Sequence, residues 1–277
     1  MSKIILSAFT DEASSVFTEQ IDAMKANGIL YTELRGVDGI GVADLTKEQV
    51  KNVKEQLDRE GLKVWSIGSP IGKINIKDDF EPHLDKFKRV IETAQYTECN
   101  KIRLFSFYGY DGSSAARDEV LYRMNKFVEV NEGSGVLLCH ENEKGIYGDM
   151  ADRCLDIAKS IPQIKAIFDP ANYIQCGQDT WEAWTMLEPY VEYMHIKDAD
   201  KTGKIVPPGW GIGNIAKIFE SYRNFANPVV SLEPHLMEFY GLAALEKEGE
   251  KTETSSLVFK TNREAFDFAA TELKKLI

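Results

Sequence analysis

Four residues that can bind a metal ion each stand at the end of a short apolar run. They are Glu141, Asp169, His195 and Glu233, in the stretches V-L-L-C-H-E-N, I-K-A-I-F-D-P, V-E-Y-M-H-I-K-D and P-V-V-S-L-E-P-H. Ionisable groups seldom finish buried strands unless something compensates their charge. Three carboxylates and one imidazole form a hard, mostly oxygen ligand set that suits Mn²⁺ or Mg²⁺, with Co²⁺ and Zn²⁺ as further options. The sequence therefore predicts a site for one divalent cation, provided that the four runs end at the same place.

Eight β-rich runs recur about 30 residues apart, which is the length of one strand–helix unit. They cover residues 4–9, 31–35, 63–69, 101–107, 135–141, 164–169, 191–197 and 228–233. Eight such units predict an α/β protein with a closed (β/α)₈ TIM barrel. No linker composition divides the chain, so we expect a single domain over residues 1–277. A dinucleotide-binding sheet is disfavoured, because no G-x-G-x-x-G follows the first run.

Segments with helical periodicity lie between these runs. They cover residues 14–27, 46–60, 80–97, 114–131, 149–160, 179–190, 214–225 and 262–276. Thr46 precedes Gln49 by three residues, which is a capping-box pattern, and Asp179 and Asn262 are the expected N-caps of two later helices. A charged segment at 236–261 follows the eighth strand and is too long for a simple connection. It could be a lid, a subunit contact or a solvated excursion.

The barrel prediction places the four candidate ligands together. Active sites of such barrels lie at the C-terminal ends of the strands, and consecutive strands are neighbours. The four residues end the fifth to eighth runs, so we expect them on one side of the rim. Each residue alone has another explanation: Asp169, before Pro170, could cap a turn, and a strand-end histidine is often a core residue.

The motifs at these strand ends resemble those of the sugar phosphate isomerase/epimerase family, the xylose-isomerase-like barrels. The matching stretches are H-E-N at 140–142, F-D-P-A-N at 168–172, H-I-K-D at 195–198, S-L-E-P-H at 231–235 and the loop P-P-G-W-G-I-G-N-I at 207–215. The resemblance implies metal ligation by Glu141, Asp169, His195 and Glu233. It also implies that Glu141 and Glu233 act as an acid/base pair, removing and returning a proton beside the carbonyl of a ketose through an enediolate.

Several other residues are candidates for contact with substrate. Asn172 stands where related epimerases often carry a histidine, and Lys201 stands where some relatives carry an arginine. These differences suggest a substrate other than the free ketoses of those epimerases. Lys197 and His235 could make polar contacts, or they could form structural ion pairs. The aromatic residues near strand ends could line an apolar wall, with Trp210 of the seventh loop closing over it. These aromatic residues are Phe9, Trp65, Phe107 and Tyr108.

Composition narrows the class of partner. The net charge of −11 disfavours nucleic acid, which requires a clustered basic surface. No run approaches the roughly 18 apolar residues of a membrane span, and the N-terminus turns polar too early for a secretory signal. The four cysteines lack a C-x-x-C spacing and are expected to be reduced thiols. We therefore expect a cytoplasmic protein with a small sugar or polyol substrate, which could form a homo-oligomer.

Four functions are compatible with these features. The first is a metal-dependent sugar isomerase or epimerase, and the second is a metal-dependent dehydratase of an inosose or sugar acid. The third is an abasic-site endonuclease, which the acidic charge and the small number of histidines disfavour, since only four are present. The fourth is a non-catalytic sugar-binding barrel, which would not require two opposed carboxylates.

Overall fold

Eight parallel strands close into a barrel in the computed structural model, which describes residues 2–240, 253 and 257–277. Each strand pairs with its neighbours in chain order, and the eighth closes the ring against the first. The strands are β1 (Ile5–Ala8), β2 (Tyr31–Leu34), β3 (Lys63–Ile67), β4 (Lys101–Leu104), β5 (Leu137–Glu141), β6 (Ile164–Phe168), β7 (Val191–Ile196) and β8 (Val229–Leu232). The predicted (β/α)₈ barrel and its eight strands are confirmed.

Helices connect the strands on the outside of the barrel. They are α1 (Phe17–Ala26), α2 (Lys47–Arg59), α3 (Glu81–Tyr96), α4 (Ser114–Asn131), α5 (Ala151–Ser160), α6 (Pro170–Gln175), α7 (Thr180–Leu187), α8 (Ile215–Tyr222) and α9 (Asn262–Lys274). Two short hairpins also occur, Gly36–Val37 with Ile40–Gly41 and Asp198–Ala199 with Ile205–Val206. The short α6, directly after β6, is an element that helical periodicity did not predict.

Two of the three predicted helix caps are confirmed, and the third is displaced by one residue. The Thr46 hydroxyl accepts a hydrogen bond from the Gln49 amide, and the capping box of α2 is confirmed. The Asp179 side chain accepts from the Glu182 amide at the start of α7, as predicted. The prediction for α9 is wrong by one residue, because Thr261 is the N-cap and Asn262 is the first helical residue. A threonine hydroxyl serves this purpose about as well as an asparagine amide, so the residue type alone does not select between them.

The core lies between the barrel and its helices. Aromatic rings fill much of it, for example Trp184 of α7 between Phe168 and Tyr222, with ring-centroid distances of 5.3 and 5.8 Å.

All four cysteines are free thiols, as predicted. In the part of the chain that the structure describes, no helix is both long and apolar enough to cross a bilayer. Most of the predicted segment 236–261 lies outside the described residues, which include only 236–240, 253 and 257–261 of it.

A buried carboxylate organises the glycine-rich loop after β7. Asp198 accepts hydrogen bonds from the backbone amides of Gly209, Gly211 and Gly213, at 2.9, 3.0 and 3.0 Å. A Cβ atom at Gly211 would overlap the Ala199 carbonyl and the Asp198 carboxylate. The spacing of glycines in P-P-G-W-G-I-G therefore reflects the close approach of this loop to one side chain at the end of β7.

We predict that Gly211→Ala destabilises the protein. Overpacking against the Asp198 carboxylate should lower the free energy of unfolding by about 1–3 kcal/mol. The matched control is Gly41→Ala, because Gly41 has extended backbone angles and no atom within 4 Å of the added Cβ. The control should change the free energy by less than about 0.5 kcal/mol. Urea denaturation measures both; equal stability of the two variants would contradict this account of the loop.

Candidate metal centre

The four predicted ligands meet at the C-terminal rim of the barrel. Each of them offers a ligand atom, and these atoms all lie within 4.8 Å of one another. The four side chains are almost fully buried, with exposed fractions between 0% and 2%. The four residues are Glu141, Asp169, His195 and Glu233, and we call them the rim cluster. Their burial shows that the group is built into the barrel and is not a chance grouping of surface acids.

Strand geometry directs each side chain inward. Glu141 is the last residue of β5, and alternation turns the preceding His140 outward, where its Nε2 lies 2.9 Å from the Ser106 hydroxyl. Asp169 follows β6 and has two functions, because its Oδ1 caps α6 by accepting from the Asn172 amide at 3.1 Å. Its Oδ2 is left facing the rim cluster. The alternative explanation of Asp169 as a cap is thus correct, and it is compatible with a place in the cluster.

His195 lies between two carboxylates. Its Nδ1 is 2.7 Å from Glu141 Oε1, and its Nε2 is 3.0 Å from Oε2 of Glu33, which comes from β2. Burial opposes protonation, but the two negative charges outweigh it and raise the pKa of His195 to about 10. The Nδ1 atom is also 4.0 Å from Glu233 Oε2, so this nitrogen faces the other members of the cluster.

Buried cations compensate the carboxylates. Lys197 Nζ lies 3.1 Å from Asp169 Oδ2 and 3.1 Å from Glu233 Oε2. The guanidinium of Arg103, in β4, donates to Glu141 Oε2 at 3.1 Å. The structural ion pair that the sequence left open for Lys197 is present, and Arg103 adds a fixed positive charge that the sequence analysis did not predict.

A second ion-pair network adjoins the rim cluster at Glu233. Arg35 donates to Glu233 Oε1 at 2.8 Å and to Glu12 Oε1 at 3.0 Å, and its Nε and Nη2 atoms donate to the two oxygens of Asp11. His235 Nε2 lies 3.3 Å from Glu12 Oε1 and 3.4 Å from Glu233 Oε1. The two oxygens of Glu233 therefore face different partners, Oε2 the rim cluster and Oε1 the network around Arg35.

The pKa values differ among the carboxylates of the cluster. Burial raises the pKa of Asp169 to about 7, against the opposing effect of Lys197 and with the help of the negative charges nearby. Burial has the same tendency at Glu141, but His195 and Arg103 outweigh it and hold the pKa of Glu141 at about 2. The pKa of Glu233 is held well below its usual value, since Lys197, His235 and Arg35 overcome the effect of burial. Glu141 and Glu233 are thus ionised at neutral pH.

The charges and donor atoms fit a divalent cation. Among the described residues around the cluster, six buried carboxylates face three fixed cations. With every carboxylate ionised and the histidines neutral, which is the state in which His195 could bind a metal, three negative charges remain. A divalent cation would reduce this excess to one negative charge. Asp169 Oδ2 is buried without a hydrogen bond, although Lys197 is nearby. The carboxylates are Asp11, Glu12, Glu33, Glu141, Asp169 and Glu233, and the cations are Arg35, Arg103 and Lys197.

The predicted polar substrate contacts divide into two groups. Lys197 and His235 lie at the rim cluster and are held in ion pairs there. Asn172 is buried beside the cluster, where its amide donates to the Asn142 carbonyl at 2.8 Å, so it supports the backbone of the rim. Lys201 is exposed and lines a separate surface cavity of about 430 Å³ together with Lys204.

Three of the predicted aromatic contacts lie away from the cluster. Trp65 lines a cavity of about 470 Å³ at the opposite end of the barrel, with the first residues of β2 and β3. Phe107 is buried in the outer core, stacked on Phe127 of α4 at 5.7 Å. Trp210 packs on α9, where its Nε1 donates to Glu272 Oε2 at 3.0 Å. Proximity to a strand end does not determine which way a ring points, and the expected apolar wall is not formed by these residues.

Of the aromatic residues predicted to line the wall, Phe9 lies against the rim cluster. Its ring lies edge-to-face with His195 at 4.9 Å, and the Arg35 guanidinium stands 4.4 Å from its centroid. The sequence prediction also missed Arg35 and Arg103 as partners of the ligands. The sequence does contain an indication of both pairings, because an arginine inside or directly after an apolar strand is rarely buried without an acidic partner. Arg35 also shares a strand face with Glu33, two residues earlier.

Comparison with known proteins identifies the family. The family described as Xylose isomerase-like TIM barrel matches residues 21–259, and the chain therefore belongs to it. The resemblance inferred from the strand-end motifs is confirmed. A search of curated proteins found no match.

Solved structures share the fold over nearly the whole chain. The probable 3-DHS dehydratase AsbF from Bacillus anthracis is 19% identical, with 98% of each chain covered and a TM-score of 0.73. L-ribulose 3-epimerase is 17% identical, covering 100% of this chain and 96% of its own, with a TM-score of 0.73. The IOLI protein with a bound zinc atom is 15% identical, covering 99% and 98%, also with a TM-score of 0.73. At these identities the likeness shows the fold.

We predict that Lys197→Met destabilises the metal-free protein and increases the stabilisation that the protein gains from metal. Leaving Asp169 and Glu233 without their shared cation should lower the free energy of unfolding by about 3–5 kcal/mol. Because Mn²⁺ then supplies the missing charge, the rise in melting temperature on adding Mn²⁺ should exceed that of the unmodified protein. Differential scanning calorimetry measures both quantities.

The matched control is Lys73→Met. The Lys73 side chain is 5% exposed, like that of Lys197, but its ion pair at 2.9 Å is with Glu143, outside the rim cluster. This variant should lose stability while its Mn²⁺-induced temperature rise stays at the original value. The same temperature rise in all three proteins would show that Lys197 and the metal do not act on the same charges.

Proposed function

We propose that this protein is a divalent-metal-dependent isomerase or epimerase that acts on a hydroxy-ketone sugar or a related polyol. The observation that carries the proposal is the position of two ionised glutamates. Glu141 and Glu233 belong to the outermost of the four strands β5 to β8, so they enter the rim cluster from its two ends. Asp169 and His195 lie between them. Two opposed carboxylates are what proton removal on one side of a carbon and return on the other require.

The proposed roles follow from charge and position. One glutamate removes the proton from the carbon beside the carbonyl, and the other returns a proton to the enediolate. A carboxylate whose pKa is as low as that of Glu141 is a weak base, so the substrate has to be made more acidic. When bound, a divalent cation, with Mn²⁺ or Mg²⁺ favoured by the oxygen-rich donor set, supplies this by polarising the carbonyl.

The other side chains of the site would hold substrate and exclude water. Lys197 Nζ stands beside the same Asp169 and Glu233 oxygens that would face a bound hydroxy-ketone, and it can donate a hydrogen bond to a substrate oxygen. Phe9 and the surrounding ion pairs enclose this end of the barrel, where low solvent access strengthens each electrostatic contact.

A second candidate function is the loss of water from a keto-polyol or sugar acid. The likeness in fold to a probable dehydratase, which covers 98% of both chains, favours it. Such a reaction begins with the same proton removal, so Glu141 and Glu233 would keep their proposed roles. The two functions differ in the fate of the hydroxyl group on the neighbouring carbon, which stays in an epimerisation and leaves in a dehydration.

We predict that the Mn²⁺-loaded protein in D₂O incorporates solvent deuterium beside the carbonyl of at least one substrate in a panel of ketoses and inososes. Glu141→Gln and Glu233→Gln should each slow the exchange by about 10²–10⁴-fold, the usual contribution of an acid or base. Proton NMR measures the exchange, and mass spectrometry separates retained from lost water. Metal content measured for each variant separates loss of the base from loss of the ion.

The control for these variants is Glu192→Gln. Glu192 lies on β7 itself, but it pairs with Lys101 at 3.6 Å, away from the rim cluster. Exchange in this variant should equal that of the unmodified protein. If the metal-loaded protein shows neither exchange nor water loss on any substrate, the enzymatic proposal is wrong and a sugar-binding role is favoured.

A further inference from the structure

Glu33 is a buried carboxylate that the proposed reaction does not use. It lies in β2 with an exposed fraction of 0%. In the pairing with β3, Thr32 lies opposite Val64 and Glu33 opposite Ser66, so the register shift leaves Trp65 of β3 as the additional residue. Glu33 itself points into the barrel interior, where its carboxylate reaches His195 of the rim cluster.

Both oxygens of Glu33 are engaged, and both contacts lead to β7. Oε2 lies 3.0 Å from His195 Nε2, and Oε1 accepts from the Tyr193 hydroxyl at 2.8 Å. The same hydroxyl lies 3.0 Å from Ser66 Oγ in β3. Among the residues the structure describes, His195 is the basic side chain in ion-pair contact with Glu33. The rotamer of Glu33 is therefore set on both sides.

These contacts determine which nitrogen of His195 faces the cluster. An ionised carboxylate can only accept, so Nε2 carries a proton and donates it to Glu33. Nδ1 lies 2.7 Å from Glu141 Oε1 and 4.0 Å from Glu233 Oε2, and by the same rule it donates to Glu141 in the absence of a metal. Nδ1 would have to release this proton to bind a metal, whereas Nε2 would keep its proton on Glu33. A carboxylate that accepts from the outer nitrogen of a histidine fixes the ring orientation and makes the inner nitrogen a better ligand.

We infer that Glu33 is the positioning residue of the metal centre, acting through His195 and itself supported by Tyr193. The inference rests on the proposed function only in that the rim cluster binds a divalent cation. Glu33 would not touch the metal or the substrate. Its effect would be to hold the imidazole with Nδ1 toward the cluster, where that nitrogen could serve as a ligand.

The geometry separates this function from ordinary packing. Removing one partner of a buried ion pair is destabilising whatever the function of the pair, so a loss of stability alone would not identify this role. The distinguishing feature is that Glu33 places its charge against a predicted ligand, and that its second oxygen is restrained by a hydroxyl that is itself hydrogen-bonded. The chain of contacts runs from Ser66 through Tyr193 and Glu33 to His195.

The test is the affinity of the full-length protein for Mn²⁺ and Co²⁺, with no substrate present. Titration calorimetry gives the dissociation constant for Mn²⁺, and the visible absorption of bound Co²⁺ reports the ligand geometry. Glu33→Gln should weaken Mn²⁺ binding by about 10–100-fold and change the Co²⁺ spectrum. Tyr193→Phe, which frees one oxygen of Glu33 but leaves the contact with His195, should weaken binding by a smaller factor.

The matched control is Thr32→Val, at the neighbouring position of β2. Thr32 is also 0% exposed, but its hydroxyl contacts Thr10 Oγ1 at 3.0 Å and not the rim cluster. This variant should keep the original dissociation constant and Co²⁺ spectrum even if its melting temperature falls. Unchanged binding in Glu33→Gln, or an equal loss of affinity in Thr32→Val, would overturn the inference.

The outcomes distinguish this inference from the proposed function. If the unmodified protein binds Mn²⁺ and only Glu33→Gln is weakened, the inference holds even when no substrate is turned over. If both proteins bind Mn²⁺ equally, the inference fails and the proposed function stands. If the unmodified protein binds no divalent ion, both the metal requirement and the inference are wrong.

Discussion

The compensation of buried negative charge at one end of the barrel is the constraint on which the rest of the site depends. Six carboxylates gather there with almost no access to water, and an uncompensated buried charge would cost several kcal/mol. Three fixed cations are built into the same region, and they still leave an excess of negative charge. A divalent cation among the ligand atoms is the simplest addition that brings the remainder close to neutrality.

The barrel makes this concentration of charge possible. Parallel strands bring their C-terminal ends to one rim, so residues far apart in the chain meet without long loops. Arg35 of the second unit reaches Glu233 of the eighth across the closure between β1 and β8. Below the rim, Glu33 and Tyr193 extend the polar contacts one layer into the barrel, and the outer core between strands and helices stays apolar. The packed apolar core therefore fixes the strands whose ends carry the charged residues.

Much of this arrangement could be predicted from the sequence, because strand spacing and residue type are local signals. The eight strands, the capping box at Thr46 and the meeting of the four rim residues all follow from short stretches of chain. The pairing of Arg35 and Arg103 with particular acids was missed, since it depends on which strand faces which across the barrel. Trp65 and Phe107 were misplaced for a related reason: a ring near a strand end can point to the interior, the outer core or the other rim, and only packing decides.

The measurement that tests the metal centre most directly is anomalous diffraction from crystals of the protein soaked with Mn²⁺. Our account predicts one anomalous peak at the C-terminal rim, within about 2.0–2.4 Å of oxygens of Glu141, Asp169 and Glu233 and of His195 Nδ1. Lys197 would move away from at least one of its two acidic partners to admit the ion. A peak bound elsewhere, or no peak at the rim at saturating Mn²⁺, would contradict the account.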